Sequence, residues 1–177
     1  MLKLWVWALL FQLSTVWSFQ INAPFFAKGQ PPVTDKEPIP GDSSLQHCDL
    51  AISQVVDITQ VNLSPNPPAR GKDLTISASG TVASVVGEGS YVDVEVRLGY
   101  VKLLTQKFDL CQMLSDNDIA GLGECPIQKG AYSLTKAVRI PDEVPPGKYT
   151  VLARAYNEHG ELLTCITGDI VFPVDML

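Results

Sequence analysis

Few side chains in this sequence can do chemistry: four thiols (Cys48, Cys111, Cys125, Cys165) and two imidazoles (His47, His159). Zinc would want cysteines paired about two to four residues apart, a spacing that is absent, so no metal is expected. An even cysteine count suits disulfides in an oxidising compartment. Among the possible connectivities, Cys48 with Cys165 and Cys111 with Cys125 nests a local bridge inside a long one that ties both ends together. In the chain-entropy account a loop of about 100 residues contributes about 4.7 kcal/mol, and one of about 15 residues about 3. His47 stands beside Cys48, and His159 sits in a polar turn, so both read as exposed polar residues rather than bases. No nucleophile elbow, phosphate loop or His-Glu metal motif occurs, and Asp116, Asn117 and Asp118 lack the glycine and distal glutamate of a calcium loop. Neither catalysis nor a cofactor is expected. Asn62, Leu63 and Ser64 form a candidate glycosylation sequon, which Pro65 disfavours.

Export is written at the amino terminus. Lys3 precedes an apolar run from Leu4 to Phe11, followed by Leu13, Ser14, Val16 and Ser18. That run is shorter than the roughly 20 residues a bilayer span takes, and the positive start and small residues fit a signal peptide over 1–18, cut after Ser18. All three tryptophans, Trp5, Trp7 and Trp17, leave with it. The remaining 159 residues carry 12 basic and 19 acidic side chains, a net charge of −7. A chain this acidic, with no basic cluster, lacks the stripe that nucleic-acid phosphates need. Residues 19–44 hold Pro24, Pro31, Pro32, Pro38 and Pro40 and read as an unfolded propeptide or linker, with Phe25 and Phe26 as its apolar exception.

Beyond residue 45 the apolar residues recur with period two. Val92, Val94, Val96, Leu98 and Tyr100 alternate with polar residues, as do Leu74, Ile76 and Ala78. Tyr132, Leu134, Val138 and Ile140 share a face interrupted by Lys136, and Tyr149, Val151, Ala153 and Ala155 share another. Asn157 to Glu161 supplies a hairpin turn before a strand over Leu162 to Val174. Six or seven strands without a convincing helix predict an all-β, antiparallel two-sheet sandwich.

Cys125, Pro126, Ile127, Gln128, Lys129 and Gly130, followed by Tyr132 and Ser133, resemble a signature of the ML lipid-recognition domain family. Three further segments agree in order: Asn62 to Pro65 ahead of Gly71 and Lys72, Phe108 ahead of Cys111, and Tyr149 to Cys165. The resemblance covers roughly residues 45–174, within a domain taken as 45–177, and is nearest the fungal phosphatidylglycerol/phosphatidylinositol transfer proteins, relatives of the Niemann-Pick type C sterol-binding protein. It implies an immunoglobulin-like sandwich that encloses a sterol or phospholipid between its sheets, without covalent chemistry.

By that resemblance the pocket aromatic falls on Phe108, and apolar rim positions on Ile140 and Val144. Alternation adds Val96, Leu98, Tyr100, Leu103, Val138 and Val151 as lipid-binding candidates. Ala78, Ala153 and Ala155, with no tryptophan to plug the middle, leave room for a cavity. The competing reading is a secreted interaction module whose core is filled. Asn66 and Arg70 occupy the neighbourhood where animal relatives carry an extra disulfide. The loop between Cys111 and Cys125 is longer than in those relatives and adds Met113, Leu114, Ile119 and Leu122. A monomer is expected, acting in a vacuolar or lysosome-like lumen or outside the cell, with transient membrane contact and a membrane receptor as a candidate recipient.

Ordinary carboxyl values of about 3.9 and 4.3 bring the net charge near zero by roughly pH 4.5. Association with anionic liposomes should therefore strengthen between pH 7 and about 4.5; sedimentation with vesicles checks it, and unchanged or weaker association would remove the electrostatic contribution.

Overall fold

Alternating apolar residues oblige this chain to bury one face of each strand, and two sheets stacked face to face satisfy that requirement. The computed structural model describes residues 30–117, 119, 121–122 and 124–174; the expected signal peptide and residues 19–29 lie outside them. In chain order the elements are β1 (Lys36–Pro38), β2 (Leu45–Cys48), β3 (Val56–Ser64), β4 (Asp73–Val82), β5 (Tyr91–Leu98), β6 (Val101–Asp109), α1 (Leu110–Asn117), β7 (Gly130–Arg139), β8 (Gly147–Tyr156) and β9 (Leu162–Phe172). Six strands form one antiparallel sheet in the order β1-β2-β9-β8-β5-β6, and three form the other, β3-β4-β7. This is the predicted all-β sandwich.

One short helix departs from the expectation. Asp109 caps it, accepting the Gln112 N–H at 2.8 Å, a local side-chain bond that strand periodicity does not reveal. The helix opens the loop closed by the Cys111–Cys125 disulfide, while Cys48 is bonded to Cys165 across β2 and β9.

The Pro-rich stretch also differs from its reading. Residues 30–44 pack as a strap on the body, where Pro38 sits in edge strand β1 and Ile39 is buried. Proline is tolerated at an edge because no ladder bond is lost there. The strap stitches the two sheets. β2 pairs with β9, while the carbonyls of Pro40 and Asp42 accept the Val61 and Leu63 N–H groups of β3, both at 2.9 Å. Gly41 makes that approach possible, with φ of 119° and a hydrogen where any Cβ would run into the Val61 carbonyl.

An ion pair on the outer face of the large sheet anchors the strap. Arg154, 2% exposed, donates to both carboxylate oxygens of Asp49 (Nε–Oδ2 2.6 Å, Nη2–Oδ1 3.2 Å), to Gln30 Oε1 at 3.1 Å and to the Pro31 carbonyl at 3.0 Å. Burial acts to raise the Asp49 carboxyl, but the Arg154 and Thr34 hydrogen bonds and the guanidinium charge outweigh it, leaving the group below its ordinary 3.8.

Removing one partner of such a pair leaves a buried charge uncompensated, so Arg154→Met should cost about 3–5 kcal/mol in urea unfolding. A carboxyl with a depressed folded value stabilises above its unfolded value and loses that stabilisation as pH falls through the folded one. The stability gap between the wild type and Asp49→Asn should therefore be full at and above about pH 5 and shrink below 3.8. A gap that widened on acidification would contradict this assignment.

Candidate functional site

Small side chains line the middle of the sandwich, and there the core is not filled. Ala78 and Gly80 on β4 and Ala153 and Ala155 on β8 supply too little volume to close the space between the sheets. The result is a cavity of about 260 Å³. Its walls are Val56 and Ile58 from β3, Val82 from β4, Val92 from β5, Tyr132 and Leu134 from β7, and Leu163, Thr164 and Ile166 from β9. Val86, Leu110, Leu122 and Ile127 close one end. Two separate apolar clusters flank it. One joins Val82, Val86, Leu114, Ile127, Ala155 and Leu163, and the other joins Ile39, Val61, Leu63 and Leu74.

The cavity is nearly free of polar atoms. Thr164 is 9% exposed, and its Oγ1 is buried without a hydrogen-bond partner. A buried hydroxyl in that state costs about 1–3 kcal/mol unless a water or ligand atom meets it. Tyr132 is satisfied, its hydroxyl donating to the Gln128 carbonyl at 2.8 Å.

The sheets come closest where β3 meets β9. On the opposite side lie the edge strands β6 and β7, whose apolar residues are open to solvent: Leu104 is 37% and Val138 41% exposed. The loop from α1 to Cys125 crosses this side. Gly121 lies so close to the Ser133 carbonyl of β7 that a Cβ would collide with it, and the Lys136 ammonium donates to the Asn117 carbonyl at the end of α1.

None of the lipid-binding candidates read from the sequence lines the cavity. Val96, Leu98 and Val151 pair with one another, or with Tyr149 and Gly168, in the same register as the wall residues Val92 and Ala153, so they share the inner face but lie toward its other end. Phe108 is half-buried opposite Val92 on edge strand β6, and Val138 stands on the inner face of β7 at the open side. Tyr100 is fully exposed in the β5–β6 turn. Leu103 occupies a bulge in β6 and is 51% exposed. Ile140 packs on the Leu63–Leu74 cluster, and Val144 lies half-buried in the β7–β8 loop. The physical reason is that alternation names a face but not the position along it where the sheets diverge.

Besides Val82, Val86 and Leu110, the residues the sequence reading missed come from β3 and β9. In β3 a bulge between Ile58 and Gln60 shifts the phase, so Val56 and Ile58 precede Val61 and Leu63 out of step. Two alternations offset by one residue were the available signal. β9 is a central strand with residues buried on both faces, and its run of apolar residues hides which side meets the cavity. Of the inserted loop, Leu122 lines the cavity, Leu114 is buried beside it and Ile119 packs against the same cluster.

The polar candidates are engaged elsewhere. His47 Nε2–H donates to the Ile58 carbonyl at 2.8 Å, His159 is exposed in the Asn157–Glu161 turn, and Asn62 Oδ1 accepts the Asp42 N–H at 2.8 Å.

Residues 42–172 match the model of the ML domain family. A phosphatidylglycerol/phosphatidylinositol transfer protein of Kluyveromyces lactis is 58% identical over 144 residues, covering 81% of this chain and 82% of that protein. One of the same name from Candida albicans is 47% identical, covering 78% and 70%. Among solved structures, a Niemann-Pick type C2 protein from the Japanese carpenter ant gives a TM-score of 0.49 at 16% identity, covering 68% of this chain and 94% of that one. On the strength of its family match and of these sequence relatives, the chain belongs to the ML domain family.

Proposed function

We propose that the protein carries lipid between membranes, enclosing the hydrocarbon of a phospholipid or sterol between its two sheets and releasing it chemically unchanged. The observation that carries this reading is the apolar cavity of about 260 Å³ walled by both sheets. An interaction module would bury its inner faces fully, whereas here Val92, Ala153, Tyr132 and Leu134 stay only half-buried around open space. The name shared by the relatives supports phospholipid as the cargo.

Burial supplies the affinity. Enclosing some 400 Å² of lipid at about 25 cal/mol per Å² offers roughly 10 kcal/mol before the entropy of association is charged against it. Membrane contact falls to the β5–β6 turn, where Tyr100, Val101 and Leu103 are exposed together. Two disulfides suit an oxidising lumen or the cell exterior.

Extracting natively purified protein with organic solvent should release lipid identifiable by mass. Ala153→Phe, which places a ring in the cavity, should abolish lipid pickup while leaving the circular dichroism spectrum and unfolding midpoint at or above wild type. Retained pickup in that variant would sink the cavity assignment. Thr164→Val removes the unpartnered hydroxyl and should raise the stability of lipid-free protein by about 1 kcal/mol in urea titration.

A further inference from the structure

From β3 to β9, register fixes which residues face inward. Val82, Gly80, Ala78, Ile76 and Leu74 on β4 stand opposite Gly130, Tyr132, Leu134, Lys136 and Val138 on β7. The inward side of β5, β6, β8 and β9 is likewise aliphatic, aromatic or neutral. Asp57, Asp73, Asp93, Glu95, Arg97, Lys102, Lys107, Asp109, Arg139, Lys148, Arg154 and Asp169 are all in the opposite phase. Among the described residues of these strands, Lys136 is the only charged side chain on the inner faces.

Its position is specific. Lys136 is half-buried on β7, the edge strand of the small sheet, two residues along the same face from Leu134 in the cavity wall and two from exposed Val138. Two residues of strand span about 7 Å. Among the described residues no carboxylate comes within ion-pair distance of its ammonium, and the Asn117 carbonyl is the one acceptor. An ammonium carries three donors, so two remain for a ligand at the open side.

We infer that Lys136 is the head-group determinant of the site: its ammonium binds the phosphate of an anionic phospholipid at the β6–β7 opening while acyl-chain carbon enters the cavity beyond Leu134. This rests on the lipid-carrier reading and deepens it. A neutral sterol hydroxyl does not need a cation at this place, whereas a phosphate oxygen gains a charge-assisted hydrogen bond, about twice as strong as a neutral one. The half-buried setting keeps salt from screening it fully.

The experiment compares transfer from donor vesicles of phosphatidylcholine holding a trace of labelled phosphatidylglycerol, labelled phosphatidylcholine or labelled sterol. Lys136→Gln should lower phosphatidylglycerol transfer by about tenfold, the size expected for a lost charge-assisted bond, with phosphatidylcholine, whose own choline cation offsets its phosphate, falling less and sterol staying within about twofold of wild type. Lys136→Arg should restore phosphatidylglycerol transfer. Excess inorganic phosphate should leave wild-type transfer unchanged; competition by it would mean that the ammonium recognises the free ion and would overturn the head-group assignment. A parallel fall for all three lipids would assign Lys136 to holding the Asn117 loop and overturn the inference, as would no change for any. Failure of the wild type to move any lipid would overturn the carrier reading itself, whereas transfer without Lys136-dependent discrimination overturns this inference alone.

Discussion

Backbone hydrogen bonds join the two sheets along one side of the sandwich, and on that asymmetry the rest of the structure depends. The strap runs from β1 through Gly41 into β2 and bonds to both β9 and β3. The opposite edges, β6 and β7, share no ladder among the described residues. A sandwich fastened on one side behaves like a clasp whose interior volume is set by the side chains between its leaves, so alanine and glycine there translate directly into space.

Reserving the interior for something else changes where stabilising interactions must sit. The polar network of Arg154, Asp49, Thr34 and Gln30 lies on the outer face of the large sheet, together with the Cys48–Cys165 bridge. A closed loop spanning 117 residues of sequence restricts the unfolded chain strongly, which offsets apolar contacts that a hollow core forgoes. Glu95, 4% exposed on the same face, is held by Arg97 at 2.5 Å and Lys102 at 3.1 Å. Burial pushes its carboxyl up, but those two cations bring it down further, so it sits below the ordinary carboxylate range.

Strand alternation was readable from the sequence because a half-buried strand must write its two faces as two classes of residue. That identified β4, β5, β7 and β8, the hairpin through Asn157–Glu161 and the two-sheet architecture. Where a physical rule other than alternation governs, less was legible. The β3 bulge breaks phase between Ile58 and Gln60, and α1 is set by a single cap at Asp109. The β9 segment, placed as a strand over Leu162 to Val174, is buried on both faces and so hides which side meets the cavity. Proline density predicts an unfolded propeptide or linker, yet over residues 30–44 a strap needs only a few outward bonds to pack, and edge placement makes proline harmless. The cavity position was beyond reach for a related reason. Val96 and Val92 are equivalent in pattern, and only the divergence of the sheets decides which of them faces empty space.

An open side also leaves two strands with unpaired amides and carbonyls, the surface on which one copy of a sheet protein can zip onto another. Basic residues stand along both: Lys102 and Lys107 on β6, Lys136 and Arg139 on β7. Lys107 lies over the Tyr91 ring, 3.6 Å from its centroid, which fixes its charge beside the strand. Like charge on the two rims opposes edge-to-edge polymerisation, so exposed Val101, Leu103 and Leu104 need not make these strands a seed for fibrils.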